Sequence, residues 1–396
     1  MGGRSRGMRS WLQLGVVAVV AGFLLSLSGL AWAAVPLVKT VPWVASNPLL
    51  PHDTWSGKTI TLKGTANVQG ANYQYTWDFG DGSPVATGTV SNQYSIEAKH
   101  AYSGVTGTVF TARLTVRNTD TGESGSKEYY VALRDKTLQV EVNVAIDEGL
   151  WYLHKNMTRF SDAQGDKGDW RTLSGYYAIN AANVNAFEVN GHLEQGDPAN
   201  PYVETVQRGM RRLFDYLTST AISAQTYPDI GTVNPDSNGN GQGVQVNQGQ
   251  YVYQGGMFMD AIITSGTPDK LTTSGNSSIL GRKYRDIVQD MADSYAYGQY
   301  DFGGNRGGWR YDWNTGPDNS VCQWAAIGLI PAEREWGLTV PDWVKQENRV
   351  WLGYSQHPDG WFGYDGNSYF PWGPYATTPS GMVQMAMDGI GRGDPR

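Results

Sequence analysis

Three pairs of carboxylates stand close enough in the chain to work together: Asp147 with Glu148, Glu188 with Glu194, and Asp312 with Asp318. Two carboxyl groups flanking a glycosidic bond can serve as general acid and as base or nucleophile, so hydrolase or lyase chemistry would reside in such a pair. Asp312, Asp318 and Glu188 are the catalytic candidates on this ground. A second group is aromatic. Trp309, Tyr311, Trp313, Trp361, Tyr364 and Trp372, with Tyr369, Phe370 and Tyr375 beside them, fall in or next to turns. Their rings offer flat apolar faces with a polar handle, which suits stacking on sugars, and they are the candidate ligand-binding residues. The third group lies in Asp236-Ser237-Asn238-Gly239-Asn240-Gly241, where oxygen-bearing side chains alternate. Calcium takes such hard ligands, which makes Asp236, Asn238 and Asn240 candidate ligands, although the acidic residue that completes an EF-hand-type loop is missing downstream. No other cofactor is expected.

Other chemistries are excluded by what is missing. Cys322 is the only cysteine, so no internal disulfide can form and stability must come from burial. There is no G-x-S-x-G elbow, and His52, His100, His154, His192 and His357 lack a nucleophile context. At the N-terminus Arg4, Arg6 and Arg9 precede an apolar run from Trp11 to about Leu30 and then Ala31-Trp32-Ala33. This reads as a signal peptide over residues 1–33, or as an anchor if it is retained, which is the one way the sequence implies a membrane. Without those three arginines, 27 of the 30 basic side chains face 37 acidic ones, a net charge of about −10. Nucleic acid, which needs clustered Lys and Arg, is excluded as a partner.

The elements that position these groups divide in two. Residues 34–56 carry Pro36, Pro42, Pro48 and Pro51 and read as an extended lead-in. Short alternating runs then follow at Ile60-Thr61-Leu62, 73–77, 111–116 and 128–133, the pattern of half-buried strands in an antiparallel sandwich. Within them, Trp77-Asp78-Phe79-Gly80-Asp81-Gly82-Ser83 places Trp77 and Phe79 on one strand face, and Asp81-Gly82 is expected to supply the positive-φ pair of a tight hairpin. His100-Ala101-Tyr102 precedes a further strand ending in Leu114-Thr115-Val116. Together these motifs resemble the two halves of a PKD domain over residues 57–135, which implies an immunoglobulin-like sandwich serving as spacer or adhesion module.

From residue 136 to 396 the apolar period becomes helical, with eight amphipathic stretches at Val140–Leu153 and about 174–192, 201–218, 248–265, 280–297, 318–334, 341–355 and 375–390. Three places share a layout of helix, glycine-rich turn with tryptophan, and second helix. Their turns are Gly168-Asp169-Trp170, Gly307-Gly308-Trp309 and Gly360-Trp361. Helix-pair repeats stack, each burying its apolar face on the next. Gln356-His357-Pro358-Asp359-Gly360-Trp361 resembles the QW motif of squalene cyclases, and the Gly307–Leu329 stretch resembles a repeat of the prenyltransferase and terpenoid-cyclase α/α toroid. That resemblance implies an all-α ring of helix pairs; four pairs are present where five or six are usual, which implies an open or partner-completed ring. Cyclases of this fold use a D-x-D-D acid cluster, which this chain lacks. Its prenyltransferases hold zinc with Asp, Cys and His; Asp318 and Cys322 occur here, but Val321 stands where the His would be. The reading is therefore a secreted or envelope protein, non-catalytic, that binds a glycan or a surface protein through an aromatic, acidic concavity. The alternative is a secreted carbohydrate-active enzyme with paired carboxylates in that cavity. The sequence leaves the oligomeric state open.

Overall fold

A computed structural model describes residues 35–41, 51–170, 175–371 and 373–395. The basic and apolar N-terminal stretch and Trp372 lie outside these residues. Eight strands come first: β1 (Val38–Val41), β2 (His52–Thr54), β3 (Thr59–Ala66), β4 (Tyr73–Asp78), β5 (Ala86–Thr89), β6 (Ile96–Ala101), β7 (Val109–Asn118) and β8 (Ser124–Leu133). One sheet runs β1-β3-β6 and the other β2-β8-β7-β4-β5. Their facing sides bury Ile60, Leu62, Trp77, Ile96, Leu114, Val116, Tyr129 and Val131. The lead-in is not a separate arm, since β1 pairs with β3 and β2 with β8; its alternating Val38 and Thr40 find open sheet edges to complete.

The two separated motifs meet. The Trp77 indole donates across the sandwich to the Ile96 carbonyl at 3.3 Å, and the Tyr102 hydroxyl donates to the Phe79 carbonyl at 3.1 Å. His100 stacks on Phe79 with ring centroids 4.0 Å apart and bonds Asp81 at 2.7 Å. Asp81 also accepts from the Ser83 backbone and hydroxyl, and these bonds hold its carboxyl down at about 2 despite the opposing effect of burial. The turn itself departs from the expected tight hairpin. Seven residues, 79–85, separate β4 from β5, and Gly80 and Gly82 take positive φ while Asp81 does not. A Cβ on Gly80 would stand 2.0 Å from the Thr111 carbonyl oxygen, so close approach to β7 selects glycine there.

Eight helices follow: α1 (Leu138–Asn156), α2 (Ala178–Glu188), α3 (Pro201–Asp215), α4 (Tyr251–Thr264), α5 (Tyr284–Gly298), α6 (Asn319–Trp336), α7 (Asp342–Ser355) and α8 (Gly373–Met387). Even-numbered helices pack in series, α2 on α4, α4 on α6 and α6 on α8, while α3 packs against α2, α5 against α4 and α6, and α7 against α8. The closest approach is between α4 and α6, where a Cβ on Gly256 would meet the Trp324 carbonyl at 1.9 Å and Gly328 faces Gly256 and Met259. Contacts advance together along both helices, so α4 and α6 are parallel. The same holds for α2 and α4, joined by Ala178 N–H to Gln254 at 3.2 Å and by Asn185 to Asp260 at 2.6 Å.

This region is not all helix. Hairpin β9 (Thr158–Asp162) and β10 (Gly165–Asp169) follows α1, and β11 (Leu217–Ala221) pairs with β14 (Gln242–Val246) around the β12 (Gln225–Tyr227) and β13 (Gly231–Val233) hairpin. These strands are three to five residues long and mostly polar, as in Thr218-Ser219-Thr220, and only β14 carries an alternation, in Val244 and Val246, too short to stand out in the sequence. They are held by their ladders and by packing of β10 on α3 and β14 on α5.

The repeated turn has a definite task. The Trp170 indole donates to the Leu153 carbonyl at 2.7 Å and the Trp309 indole to the Tyr295 carbonyl at 2.8 Å, each the fourth-last residue of its helix. The last four carbonyls of a helix lack intrahelical partners, and the indole supplies one. The ring's own backbone N–H is then received by the next helix: Trp170 by Asn180 at 2.9 Å, Trp309 by the Cys322 sulfur at 3.1 Å, and Phe362 by Thr378 at 3.3 Å. The equivalent of Trp170 and Trp309 in the last unit is therefore Phe362, one residue beyond Trp361, and all three are buried. Cys322 is fully buried, its thiol pushed well up by desolvation, and acts as an acceptor for the turn.

The sandwich and the helices share a polar seam. Lys63, fully buried on β3, is paired with Asp147 and, at 3.2 Å, with Glu148 of α1; Glu148 also takes the Thr61 backbone and hydroxyl at 2.9 Å. His52 lies 3.2 Å from Asp147 and accepts or donates to Tyr129 at 2.6 Å. The Asp147 and Glu148 pair is thus engaged in joining the two parts. Nearby, His154 bonds the Tyr94 carbonyl at 3.0 Å and Thr205 at 2.6 Å. Desolvation, then the Arg159 charge, hold His154 well below the usual histidine range; burial brings His192 to about 4 and lowers His52 as well.

A histidine kept neutral by the fold contributes stability that is complete above its unfolded pKa of about 6.5 and is lost as pH falls toward its depressed folded value, because the unfolded chain takes up the proton first. Buried carboxyls run the other way: Asp293, raised to about 7, and Glu188 and Asp260, also raised, prefer the acid form and gain on acidification. The histidine contribution is therefore isolated by difference. In urea denaturation the stability advantage of the native chain over His154→Gln is expected to be larger at about pH 7.5 than at about pH 5. An equal advantage at both values would mean that His154 is not held neutral.

Candidate ligand-binding face

Because α2, α4 and α6 are parallel neighbours, the chain enters all three at the same end. Aromatic residues stand at each entrance: Tyr176 before α2, Tyr253 in the first turn of α4, and Tyr311 and Trp324 before and within the start of α6. Their rings form one continuous belt. Tyr176 and Tyr253 are 5.8 Å apart, Tyr253 and Tyr311 6.0 Å, and Tyr253 and Trp324 5.8 Å. Tyr364 is fixed to the start of α6 by its carbonyl, which accepts the Asn319 N–H at 2.8 Å, and its ring lies 6.1 Å from Phe370 at the approach to α8. All six are half-buried, so each keeps part of a ring toward solvent.

Polar groups are placed among them. Asp312 is exposed, and its carboxylate takes the Gln250 N–H at 3.1 Å, holding Gln250 in the left-handed region (φ 65°) at the start of α4. Arg310 has its guanidinium 5.9 Å from the Tyr311 ring and its Nε 3.6 Å from Asp318. Burial raises the Tyr364 hydroxyl to about 12, so it stays a proton donor at neutral pH.

The sequence candidates divide on this geometry. Tyr311 and Tyr364 are in the belt. Trp309 is fully buried and is a core residue, because its indole is used at the end of α5. Trp313 is pinned by Gln245 at 2.7 Å and packs between Tyr251 and Tyr295, with Gly298 leaving room for its ring. Trp361 is half-exposed but stacks on His357 at 4.1 Å and meets Tyr369, apart from the belt's ring contacts. Asp318 is fully buried as the N-cap of α6, its Oδ1 receiving the Val321 N–H at 3.0 Å and the Ser320 hydroxyl at 2.6 Å, so it does not face a ligand with Asp312. Glu188 lies at the far end of α2, buried and with its carboxyl pushed well up by desolvation, then by Glu194 and Asp260. Glu194 is paired with Lys270 at 2.5 Å and receives the Tyr284 hydroxyl at 3.1 Å. In the 236–241 loop, Asp236 accepts the N–H groups of Gly239, Asn240 and Gly241, Asn238 that of Asn240, and Asn240 that of Gln242. The amide groups of Asn238 and Asn240 donate to Asp290 at 2.6 and 3.0 Å. These oxygens are turned onto the loop's own backbone rather than toward a shared centre.

Tyr176, Tyr253 and Trp324 were not singled out from the sequence. A signal for Trp324 exists all the same. It interrupts the small-residue run Cys322, Ala325, Ala326 and Gly328, along which α6 packs, and a large ring beside such a stripe must turn away from the neighbouring helix.

No protein-family profile matches the chain. Human Polycystin-1 is 35% identical over 104 residues, which take in 26% of this chain and 2% of that protein. The sandwich is similar to a PKD domain. A solved PKD domain of a peptidase from a Thermoplasmatales archaeon is 17% identical and matches 26% of this chain and 94% of its own, at a TM-score of 0.18. No helix among the described residues is long and apolar enough to cross a membrane.

Proposed function

We propose that the protein is an exported, non-catalytic glycan-binding protein, in which the aromatic belt lies along the mouth of an open arc of the α/α-toroid kind. The observation that carries this reading is the belt: six half-buried rings at the entrances of neighbouring helices, four of them in contact from Tyr176 through Tyr253 to Tyr311 and Trp324, and two more, Tyr364 and Phe370, paired at the approach to α8. Pyranose rings carry apolar C–H faces and hydroxyl edges, which match aromatic faces bordered by Tyr hydroxyls, Arg310 and Asp312. A row of rings suits successive sugars of one chain better than a single small ligand. The PKD-like sandwich, joined to α1 through Lys63, Asp147 and Glu148, acts as a rigid base for the arc rather than as a loose spacer. The basic and apolar N-terminus ending in Ala31-Trp32-Ala33 supports export.

Asp318 is buried as a helix cap and Glu188 is buried at the end of α2 away from the belt, which favours binding over hydrolysis. An oligosaccharide array probed with the protein, run beside a reducing-end release assay on the same sugars, tests the proposal. Binding without release is expected. Release of reducing ends would replace it with the hydrolase reading, and no binding to any sugar would remove the glycan as ligand.

A further inference from the structure

The belt ends at a pocket. Beyond Tyr176, a cavity of about 240 Å³ opens between the start of α2, the end of β10 and α3, lined by Asp169, Tyr176, Tyr177, Asn180, Arg212 and Tyr216, with Trp170 behind them. Its volume is below the roughly 300–1,000 Å³ usual for drug-sized ligands, so it suits a single ring. One wall is preformed: Tyr177 and Tyr216 stack at 3.9 Å, and the Arg212 guanidinium carbon lies over the Tyr216 ring, 4.3 Å from its centroid. Asp169 and Asn180 are almost wholly buried at the base, the latter fixed by accepting the Trp170 N–H.

Charge decides between ligand classes. Arg212 alone would favour an anion, but Asp169 at 3.3 Å and Asp215 at 3.2 Å compensate it. What lines the pocket is therefore a charge-compensated guanidinium beside the Asp169 carboxylate and the Asn180 amide, next to aromatic faces. A vicinal diol, each hydroxyl of which both donates and accepts, matches that arrangement. The geometry points to a subsite for one neutral pyranose, at the end of a glycan chain whose next residues lie along Tyr176, Tyr253 and Trp324. This assignment rests on the glycan reading of the belt and adds the ligand's class and its direction of entry.

The test titrates the protein with cellohexaose, maltohexaose and hexagalacturonate by calorimetry, for the native chain and for Arg212→Lys, Tyr176→Ala and Trp324→Ala, each first checked for native-like thermal unfolding. A neutral hexasaccharide is expected to bind, with affinity reduced about tenfold or more by Arg212→Lys and by Tyr176→Ala, since a lysine cannot reproduce the flat guanidinium. Loss of affinity in Trp324→Ala with none in Arg212→Lys or Tyr176→Ala would leave the belt standing and overturn the pocket. Binding of hexagalacturonate in preference to the neutral sugars would overturn its neutral character. No binding of any of the three would overturn both.

Discussion

Lys63→Met is expected to lower the unfolding free energy by roughly 3–5 kcal/mol, the usual cost of removing one partner from a buried ion pair. The lysine ammonium is fully enclosed, and it faces Asp147, Glu148 and the Thr61 carbonyl at once. Methionine fills much of the same volume, so the loss comes from stranding Asp147, whose side chain is only 11% exposed, rather than from a cavity. The double variant Lys63→Met with Asp147→Leu removes the ammonium and its more buried carboxylate partner, leaving the more exposed Glu148 on the Thr61 N–H and hydroxyl, and is expected to recover most of the loss, because a well-packed apolar pair commonly matches a buried ion pair. Urea denaturation of the two variants measures this. A single variant within about 1 kcal/mol of the native chain would mean that the charges do not hold α1 to the sandwich.

Trp309→Ala is expected to cost a similar amount, roughly 3–5 kcal/mol, as an enclosed indole leaves a cavity. Trp309→Phe separates packing from hydrogen bonding. It keeps most of the apolar contact and gives up the N–H to Tyr295, so about 1–2 kcal/mol is expected for leaving that carbonyl unpaired at the helix end. If the phenylalanine variant were as stable as the native protein, the indole would be acting as filler alone. The outcome bears on the repeat as a whole, since Trp170 makes the same bond at the same position of α1. Phe362, which replaces it in the last unit, is itself a natural instance of the substitution.

Much of this architecture was legible because the residues that signal it act locally. Trp77, Phe79, Asp81, His100 and Tyr102 each make a contact dictated by their own type: core ring, turn acceptor, stacked imidazole. The eight helical stretches likewise fell where apolar periodicity placed them. What escaped was non-local. The short strands β9 to β14 have little periodicity of their own, only Val244 and Val246 of β14 alternating, and exist because other elements receive them. The one-residue offset of Trp361 from Phe362 could not be read either, since both are aromatic and only burial tells which one the turn encloses.

The aromatic belt was legible in kind more than in membership. Turn aromatics were expected to gather near the helix entrances, and Tyr311 and Tyr364 do. Trp309 and Trp313 were drawn inward by partners distant in sequence, Tyr295 and Gln245. Tyr176, Tyr253 and Trp324 came from helix starts, where aromatic spacing reads as core until the neighbouring helix is known. The carboxylates were taken up by the fold for a related reason: Asp318 caps a helix, Asp147 and Glu148 share a lysine, and Glu188, though close to Glu194, is buried beside a carboxylate held by Lys270 and Tyr284.

The most direct test places the ligand on the molecule. With tyrosine rings carbon-13 labelled, NMR titration with a bound neutral hexasaccharide is predicted to shift or broaden the ring signals of Tyr176, Tyr253, Tyr311 and Tyr364 together, leaving Tyr73 and Tyr75 of the sandwich in place. Shifts confined to Tyr369 beside Trp361, or to the sandwich tyrosines, would contradict the account and move the binding face elsewhere.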